Sequence, residues 1–404
     1  MSEIFEKIEA VVRERVDTTR EMEEEEIREI IDDAILEFSS EFCMNLREKE
    51  QLATELFNVL KRLDILQELV DDDSITEIMI NGPKNIFFER GGRIFRWDKE
   101  FSDEGRLYDI AQQIAARANR MVNESIPILD TRLSNGSRVN IVLPPVALDG
   151  PVITIRKFYQ NPITIQKLIQ IGSITAEAAQ FLENAVKARY NIFISGGTGS
   201  GKTTFLNALS NYIPQDERVI TIEDSAELQI QAVKNLVRLE TKNANVEGEN
   251  AITIRDLIKS SLRMRPDRIV VGEVRGAEAI DMITAMLTGH DGSLSTGHSN
   301  SPRDMLTRIE TMIMMGMDIP LPAIKNQVAS AIDIIVHLGR LRDKTRKVLN
   351  IEEVKGMENG EIILNPLFEF VEYGEQDGRI QGVLEKKNTL INNGKMKGAG
   401  LWIS

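Results

Sequence analysis

The chain has 404 residues, a hydrophobic fraction of 42%, a charged fraction of 28% and a formal net charge of −14. This length predicts two or three domains, and no apolar run approaches the roughly eighteen residues that a membrane-spanning helix needs. The acidic balance argues against a protein whose whole surface binds nucleic acid or anionic lipid.

The amino terminus, MSEIFEKIEAVVRERVD, alternates charged and apolar residues. A secretory signal would show a basic stretch followed by an apolar block, so we expect none here. The single cysteine, Cys43, excludes an intrachain disulfide and agrees with a reducing compartment. Both observations predict a cytoplasmic protein.

Residues 1–73 are predicted to form a helical segment. Apolar residues recur at three- and four-residue spacing, for example between Ile30 and Phe38. The acidic run from Glu21 to Asp33 is interpreted as the solvated face of a helix that begins near Thr18 and Thr19. Docking of a partner on this face is the alternative.

Residues 74–158 are predicted to form a small α/β domain. The segments ITEIMING and NIFFERGGRIFRWD alternate apolar and polar residues and are separated by turn-forming Asn, Gly and Pro. A helix is expected from Asp103 to Met121, followed by strands at Arg138–Pro145 and Gly150–Phe158. Residues 159–168, which contain a proline, are predicted to be a linker.

In residues 169–404 short β-rich segments alternate with amphipathic helices. This alternation is typical of a mostly parallel sheet covered by helices on both faces. The methionine-rich stretch from Met312 to Met317 is interpreted as core packing at the end of a helix, and a partner-binding groove is the alternative.

A phosphate-binding loop lies between an apolar strand and a helix in the segment NIFISGGTGSGKTTFLNAL. Glycines let backbone N–H groups curl around phosphates, Lys202 supplies a charge to the β- and γ-phosphates, and Thr203 offers a hydroxyl to Mg²⁺. The predicted nucleotide-binding residues of the loop are Gly196, Gly197, Thr198, Gly199, Ser200, Gly201, Lys202, Thr203 and Thr204.

Carboxylates follow two further predicted strands. In RPDRIVVGEVRG the strand ends at Glu273, and Gly272 occupies the position at which many related sites carry aspartate. Mg²⁺ is therefore predicted to rest on Thr203, the phosphates and waters, with Glu273 acting through a water. In VITIEDSAEL, Glu227 is the first candidate for the group that activates the attacking water, and Glu223 is the second.

The three histidines, His290, His298 and His337, do not form an obvious metal site, since zinc usually takes three or four ligands. His290 follows a predicted helix and is interpreted as a helix-end contact. His298 ends a predicted strand, and Ser301 starts the next helix. We predict that His298 senses the γ-phosphate or a catalytic carboxylate and reports hydrolysis to that helix.

The boxes GGTGSGKTT, TIEDSAEL, RMRPDRIVVGEVRGAEA and TGHDGSLSTGHSNSP occur in this order. The chain thereby resembles the type II/type IV secretion ATPase superfamily. Upstream, ITEIMINGP, TRLSNGSRVNIVLPP and ITIRKF are similar to the CpaF branch, the ATPases of tight-adherence (Tad) pili.

The resemblance implies a RecA-like P-loop domain preceded by the small α/β domain and the helical segment. It implies Mg²⁺-dependent ATP hydrolysis by a homohexameric ring that works, as a peripheral protein, on an inner-membrane pilus or secretion platform. It assigns functional positions to Lys202, Thr203, Glu227, Glu273 and His298. Arginines are expected near the γ-phosphate, where charge builds in the transition state. The candidates are Arg132, Arg138, Arg156, Arg238 and Arg263.

Three other functions compete with the motor. A RecA-like nucleic-acid translocase is the main alternative, although the acidic charge and the aromatic fraction of 5% disfavour nucleic acid as a partner. A small-molecule kinase would need an arginine-rich lid, and none is visible. A non-hydrolysing switch is disfavoured because Glu227 and Glu273 are present.

Overall fold

The computed structural model describes residues 2–16, 20, 22–42, 44–158, 162–242 and 250–401. Cys43 and the helix start predicted near Thr18 and Thr19 lie outside these residues. The chain divides into two compact units, Met1–Gln160 and Asn161–Ser404. Among the described residues, no helix combines the length and the apolar character that crossing a membrane requires.

The first unit begins with helices. Their bounds are α1 Ser2–Arg15, α2 Glu24–Phe42, α3 Leu46–Lys61 and α4 Leu66–Asp71. Helices α1 to α3 surround an apolar cluster of their own that includes Ile31 and Leu56. Asn45 caps α3 through a reciprocal capping box with Glu48, which satisfies backbone donors at the helix start.

A six-stranded sheet completes the first unit. Its strands are β1 Ile75–Asn81, β2 Ile86–Arg90, β3 Arg93–Arg96, β4 Ile128–Arg132, β5 Arg138–Val142 and β6 Val152–Arg156. The order is β3-β2-β1-β6-β5-β4, and every neighbouring pair is antiparallel. Helix α5, Glu104–Arg117, contributes Leu107, Ile110 and Ile114 to the core of this sheet.

Two local predictions in this unit need correction. Helix α5 ends at Arg117, four residues before the predicted Met121, and Asn119 adopts a left-handed φ of 53°. Strand β4 was not predicted. Only Leu129 of its five residues is buried, so the sequence shows no alternating apolar pattern there.

The second unit contains a nine-stranded sheet with helices on its faces. The helices are α6 Ile165–Gln170, α7 Ala176–Lys187, α8 Lys202–Ser210, α9 Ile254–Ser261, α10 Ala279–Leu287, α11 Pro302–Gly316, α12 Leu321–Ala331 and α13 Gly394–Gly398. The strands are β7 Ile192–Gly196, β8 Arg218–Glu223, β9 Asn235–Glu240, β10 Arg268–Val271, β11 Leu294–His298, β12 Ile334–Arg340, β13 Arg346–Glu358, β14 Glu361–Gln376 and β15 Arg379–Lys386.

The strand order in this sheet is β15-β14-β13-β12-β7-β11-β10-β8-β9. The six strands from β12 to β9 are parallel, and β13 to β15 continue the sheet antiparallel. Adjacent residues of β7 enter different cores, since Ile192 and Ile194 belong to one apolar cluster and Phe193 to the other. The central strands are therefore buried on both faces, as predicted for a parallel sheet.

The predicted linker at residues 159–168 extends too far. Residues 159–161 are outside the described part of the chain, but α6 begins at Ile165, and both Ile165 and Leu168 are buried in the core of the second unit. The core-packing interpretation of the methionine-rich stretch is correct for Met312 and Ile313 and wrong for the other methionines. Met312 is buried, whereas Met315 is 68% exposed and Met314 and Met317 are about half exposed.

Candidate active site

The carboxyl ends of five parallel strands meet at one edge of the second sheet. Strand β7 ends at Gly196, β8 at Glu223, β11 at His298 and β12 at Arg340, while β10 is followed by Gly272 and Glu273. In open α/β sheets this edge is where ligands bind. The sheet topology thus brings the predicted loop, carboxylates and histidine to the same place.

The loop from Gly196 to Gly201 has the backbone that a phosphate cradle requires. Gly199 and Gly201 have φ values of 69° and 93°, in the left-handed region that side chains disfavour. A Cβ on Gly196 would clash with the carbonyl oxygen of Leu338, whereas open space surrounds Gly197. Helix α8 starts directly after Gly201, so its free N–H groups and positive dipole end face this loop.

Lys202 lies folded against the loop. Its Nζ donates to the carbonyl oxygen of Gly197 at 3.0 Å and lies 3.2 Å from Nδ1 of His298. The side chain is largely buried, at 7% exposed. Because a charged lysine can only donate, Nδ1 of His298 is the acceptor, and the proton of the neutral imidazole sits on Nε2.

His298 bridges Lys202 and Glu273. Its Nε2 lies 3.1 Å from Oε1 of Glu273. Burial lowers the pKa of His298, and the neighbouring Lys202 charge lowers it further. The imidazole is therefore neutral at pH 7, and through side chains it joins the start of α8, the end of β11 and the residue two positions after β10.

Arg275 extends this chain of contacts and was missed as a site residue in the sequence. Its guanidinium lies 3.2 Å from the Glu273 carboxylate and 3.3 Å from Asp224. The only signal available was its position two residues after Glu273. Arg275 thus links the carboxylates that follow β10 and β8.

Glu223 organises the loop that carries Glu227. Its Oε2 accepts the backbone N–H groups of Glu227 and Leu228 at 2.7 and 3.0 Å. Burial raises the pKa of Glu223 to about 6. The side chain also explains the missing aspartate, since a Cβ on Gly272 would lie 2.9 Å from Cγ of Glu223.

The donors at this edge fit Mg²⁺ bound together with a nucleotide. Oε1 of Glu223 and Oε1 of Glu273 are buried and accept no hydrogen bond from the described residues, so both can receive one from a metal-bound water. Thr203 lies in the first turn of α8. The described residues hold no cluster of three His, Cys, Asp or Glu ligands for a metal. Oxygen atoms of a nucleotide and of water would complete the coordination of Mg²⁺ at this edge.

The other two histidines lie outside this chain of contacts. Nδ1 of His290 lies 3.2 Å from the carbonyl oxygen of Ala285, in agreement with the predicted helix-end contact. His337 is buried on β12, and its Nδ1 lies 2.8 Å from Oγ of Ser195, the residue before the phosphate loop.

The five candidate arginines occupy different places. Arg132, Arg138 and Arg156 lie opposite one another on the neighbouring strands β4, β5 and β6 of the first unit. Arg238, on β9, is close enough to Glu223 for its charge to lower the pKa of that carboxyl. Arg263 follows α9, near the amino end of β10 and hence at the sheet edge opposite the phosphate loop. Within one chain Arg263 does not reach this site.

Residues 60–374 match the family model described as type II/IV secretion system protein. The chain belongs to this family. A Mycobacterium tuberculosis protein whose name refers to conjugal transfer is 35% identical over 325 residues, which cover 79% of this chain and 90% of that protein. The type IV secretion system protein VirB11 of Brucella suis is 32% identical over 303 residues, which cover 68% of this chain and 84% of that protein.

Two solved structures show a similar fold. The pilus retraction motor PilT with bound ADP gives a TM-score of 0.52 at 19% identity, covering 84% of this chain and 87% of that one. The Legionella pneumophila ATPase DotB gives 0.51 at 20% identity, covering 74% and 81%. The predicted fold, a RecA-like domain preceded by a smaller α/β domain, is confirmed.

Family membership and the loop, lysine and carboxylates at one sheet edge make this secretion-family chain an ATPase, as predicted. Family membership and the residues at this sheet edge also identify a nucleotide as its substrate. The CpaF branch stays a prediction.

Proposed function

We propose that this ATPase is a homohexameric motor that turns ATP hydrolysis into mechanical work at the inner face of the cytoplasmic membrane. Its output would be assembly of Tad or type IV-like pili, or secretion. The observation that carries the proposal is the contact chain Lys202–His298–Glu273, because it connects a phosphate-binding lysine to a carboxylate and to the strand that precedes α11.

Residues 196–204 bind the triphosphate in this proposal. The backbone N–H groups of the loop and of the start of α8 hold the phosphates, and Lys202 neutralises the β- and γ-phosphates. Lys202 would exchange its contact with Gly197 for contacts with phosphate oxygens. Thr203 and, through a water, Glu273 would hold Mg²⁺, which supplies positive charge to the transferring phosphoryl group.

Glu227 is the proposed group that orients or deprotonates the attacking water. The hydrogen bonds from Glu227 and Leu228 to Glu223 support this role, because they fix the backbone on which Glu227 stands. Glu223 remains the second candidate. A base held by a rigid partner loses less entropy on reaching the reactive geometry.

The arginine row of the first unit is proposed to supply positive charge to the γ-phosphate. Arg138 lies opposite both Arg132 and Arg156, so three guanidinium-bearing residues share one row across the neighbouring strands β4, β5 and β6. Arg238 is proposed to act beside Glu223, and Arg263 stays a candidate only for contact across a subunit boundary.

His298 is proposed to pass the state of the γ-phosphate to α11. The histidine is followed within three residues by Ser301, whose side chain accepts the N–H of Asp304 and caps that helix. A change in the Lys202 and Glu273 contacts would therefore displace a helix start. In this proposal, movement of α11 carries the conformational change away from the active site.

The test compares Lys202→Ala with Lys187→Ala in the host and in purified protein. Lys187 is a half-exposed lysine of α7 paired with Glu183, so its loss controls for the removal of one charge. We expect Lys202→Ala to abolish ATP turnover and surface pili or secretion, and Lys187→Ala to preserve both. Normal pili and secretion with Lys202→Ala would refute the motor.

Two further measurements address the remaining parts of the proposal. Analytical ultracentrifugation with nucleotide should give a hexamer, and fractionation should place the protein with the inner membrane only when its platform is present. Hydrolysis stimulated by single- or double-stranded DNA would favour the translocase alternative.

A further inference from the structure

The hairpin between β12 and β13 lies against the phosphate loop. Nε of Arg346 donates to the carbonyl oxygen of Gly199 at 2.8 Å, and its Cδ would lie 3.5 Å from a Cβ on Gly201. Arg346 therefore lies against Gly199 and Gly201, two of the loop glycines with positive φ values. A second residue of the hairpin, Arg340, stands beside Gly199 at the end of β12.

The backbone of Arg346 is fixed from the other side. Oγ of Ser173 donates to the carbonyl oxygen of Arg346 at 2.7 Å, and the N–H of Val348 donates to the carbonyl oxygen of Ser173 at 2.9 Å. Nζ of Lys347 donates to the carbonyl oxygen of Gly172 at 2.6 Å. The turn between α6 and α7 thus holds the strand from which Arg346 reaches the loop.

A phosphate cradle needs its N–H groups aimed inward, which turns carbonyl groups such as that of Gly199 outward. Glycines lose more conformational entropy on ordering than any other residue, so a glycine-rich loop without external contacts binds anions at an entropic cost. A guanidinium on an outward carbonyl fixes the peptide plane before the nucleotide arrives.

We propose that Arg346 is a positioning residue for nucleotide binding, and that Ser173 positions Arg346 in turn. Arg346 acts on the outer face of the loop through Gly199, and it contacts neither the phosphates nor the reacting atoms. This inference rests on the proposed function in one respect, namely that residues 196–204 hold the nucleotide.

Preorganisation of a binding loop changes the affinity for the ground state and for the transition state alike. We expect Arg346→Ala to raise the Kd for ADP and the KM for ATP about tenfold, because a charge-assisted hydrogen bond is lost. The kcat at saturating ATP should stay within about twofold, since uniform binding does not alter the chemical step. Arg346→Lys should recover part of the affinity because it keeps a charged donor.

Ser173→Ala should weaken ADP binding by about threefold, as for a neutral hydrogen bond. The double variant Arg346→Ala/Ser173→Ala should bind no more weakly than Arg346→Ala alone, because Ser173 acts through Arg346. If the losses of ADP affinity in the two single variants add up in the double variant, Ser173 does not act through Arg346.

The matched control is Arg342→Ala. Arg342 belongs to the same hairpin, but its guanidinium pairs with Glu372 and Glu375 on β14 at 2.6 and 3.1 Å. We expect the Kd, KM and kcat of Arg342→Ala to equal those of the wild type. Melting curves should show that Arg342→Ala and Arg346→Ala both fold.

Wild-type affinity in Arg346→Ala, a loss confined to kcat, or an equal loss in Arg342→Ala would overturn the role of Arg346. Lys202→Ala separates this failure from that of the proposed site. If Lys202→Ala keeps full nucleotide affinity, the nucleotide site itself is misplaced. If it loses affinity and Arg346→Ala does not, only the positioning role fails.

Discussion

Nε2 of His298 lies 3.1 Å from Oε1 of Glu273, so the ends of β11 and β10 meet through these two side chains. The two atoms are close enough for attraction, yet Glu273 Oε1 accepts no hydrogen bond from the described residues. A small shift of the imidazole would align them, and a water can also lie between the carboxylate and a nucleotide. This contact can therefore respond to what Lys202 binds.

Replacement of His298 by alanine should separate binding from turnover. We expect His298→Ala to bind ADP within about threefold of the wild type, because the loop N–H groups and Lys202 remain. The kcat should fall about a hundredfold, as for the loss of one polar group that acts in the transition state. Steady-state kinetics and fluorescent-nucleotide titration measure both.

His290→Ala is the control for this prediction, since the His290 imidazole contacts the end of α10, and Ser293 bonds only to the His290 backbone carbonyl, which alanine keeps. It should keep the wild-type kcat. An unchanged kcat in His298→Ala, or equal losses in both variants, would contradict the sensor role.

Glu223 should make stability depend on pH. Burial raises its pKa from 4.5 to about 6, so the folded protein favours the protonated form. The charged carboxylate then destabilises the folded state by about 2 kcal/mol above pH 6, and this cost disappears as the pH falls from 6 to below 4.5. Glu223→Gln keeps an oxygen for the N–H groups of Glu227 and Leu228 but cannot ionise.

We therefore expect nucleotide-free Glu223→Gln to be more stable than the wild type by up to about 2 kcal/mol at pH 8. The difference should vanish near pH 4.5. Urea unfolding with EDTA at several pH values measures it. A difference that does not change with pH would show that Glu223 does not titrate in this range.

Gly272 should tolerate no side chain while Glu223 is present. A Cβ would lie 2.9 Å from Cγ of Glu223, so Gly272→Ala should lower the free energy of unfolding by about 1–3 kcal/mol. Glu223→Ala in the same chain should recover part of that loss. Gly374→Ala, at an open position of β14, is the control and should unfold like the wild type. Equal effects in the two glycine variants would rule out the clash.

The arginine row should matter for activity. Arg138→Ala removes a charge that lies opposite Arg132 and Arg156. The kcat/KM for ATP should fall by about tenfold to a hundredfold if this charge stabilises the transition state. Arg93→Ala is a matched control, because Arg93 lies opposite Arg90 at the other edge of the same sheet.

If the melting temperature and the activity of Arg138→Ala both fall, this arginine has a structural role. Wild-type kinetics in Arg138→Ala would show that this arginine row does not act at the active site. Either result leaves the roles of Lys202 and Glu273 untouched.

Much of the site was predictable because its residues follow strands. Residues 196–204 carry a local pattern between an apolar strand and a helix, and the carboxyl ends of parallel strands must share one edge. Glu223, Glu273 and His298 could therefore be expected near one another from their positions alone. The structure records their contacts at that edge.

Contacts between distant segments were not predictable. Arg346 reaches Gly199 across 147 residues, and an arginine at the start of an exposed strand has no periodicity that would distinguish it. The start of α6 did carry a local signal, since Thr164 caps it by accepting the N–H of Lys167. The proline at position 162 favoured a linker, and only burial of Ile165 shows that the helix belongs to the core.

Strand β12 belongs to two halves of one sheet, since it pairs parallel with β7 on one side and antiparallel with β13 on the other. The strands β13, β14 and β15 therefore extend the sheet from β12, which lies directly beside the strand that leads into the phosphate loop. Backbone pairing connects β15 through β14, β13 and β12 to β7, with register shifts in the pairs between β12 and β15. A displacement of β13 would therefore reach the phosphate loop through the hydrogen bond from Arg346 to Gly199.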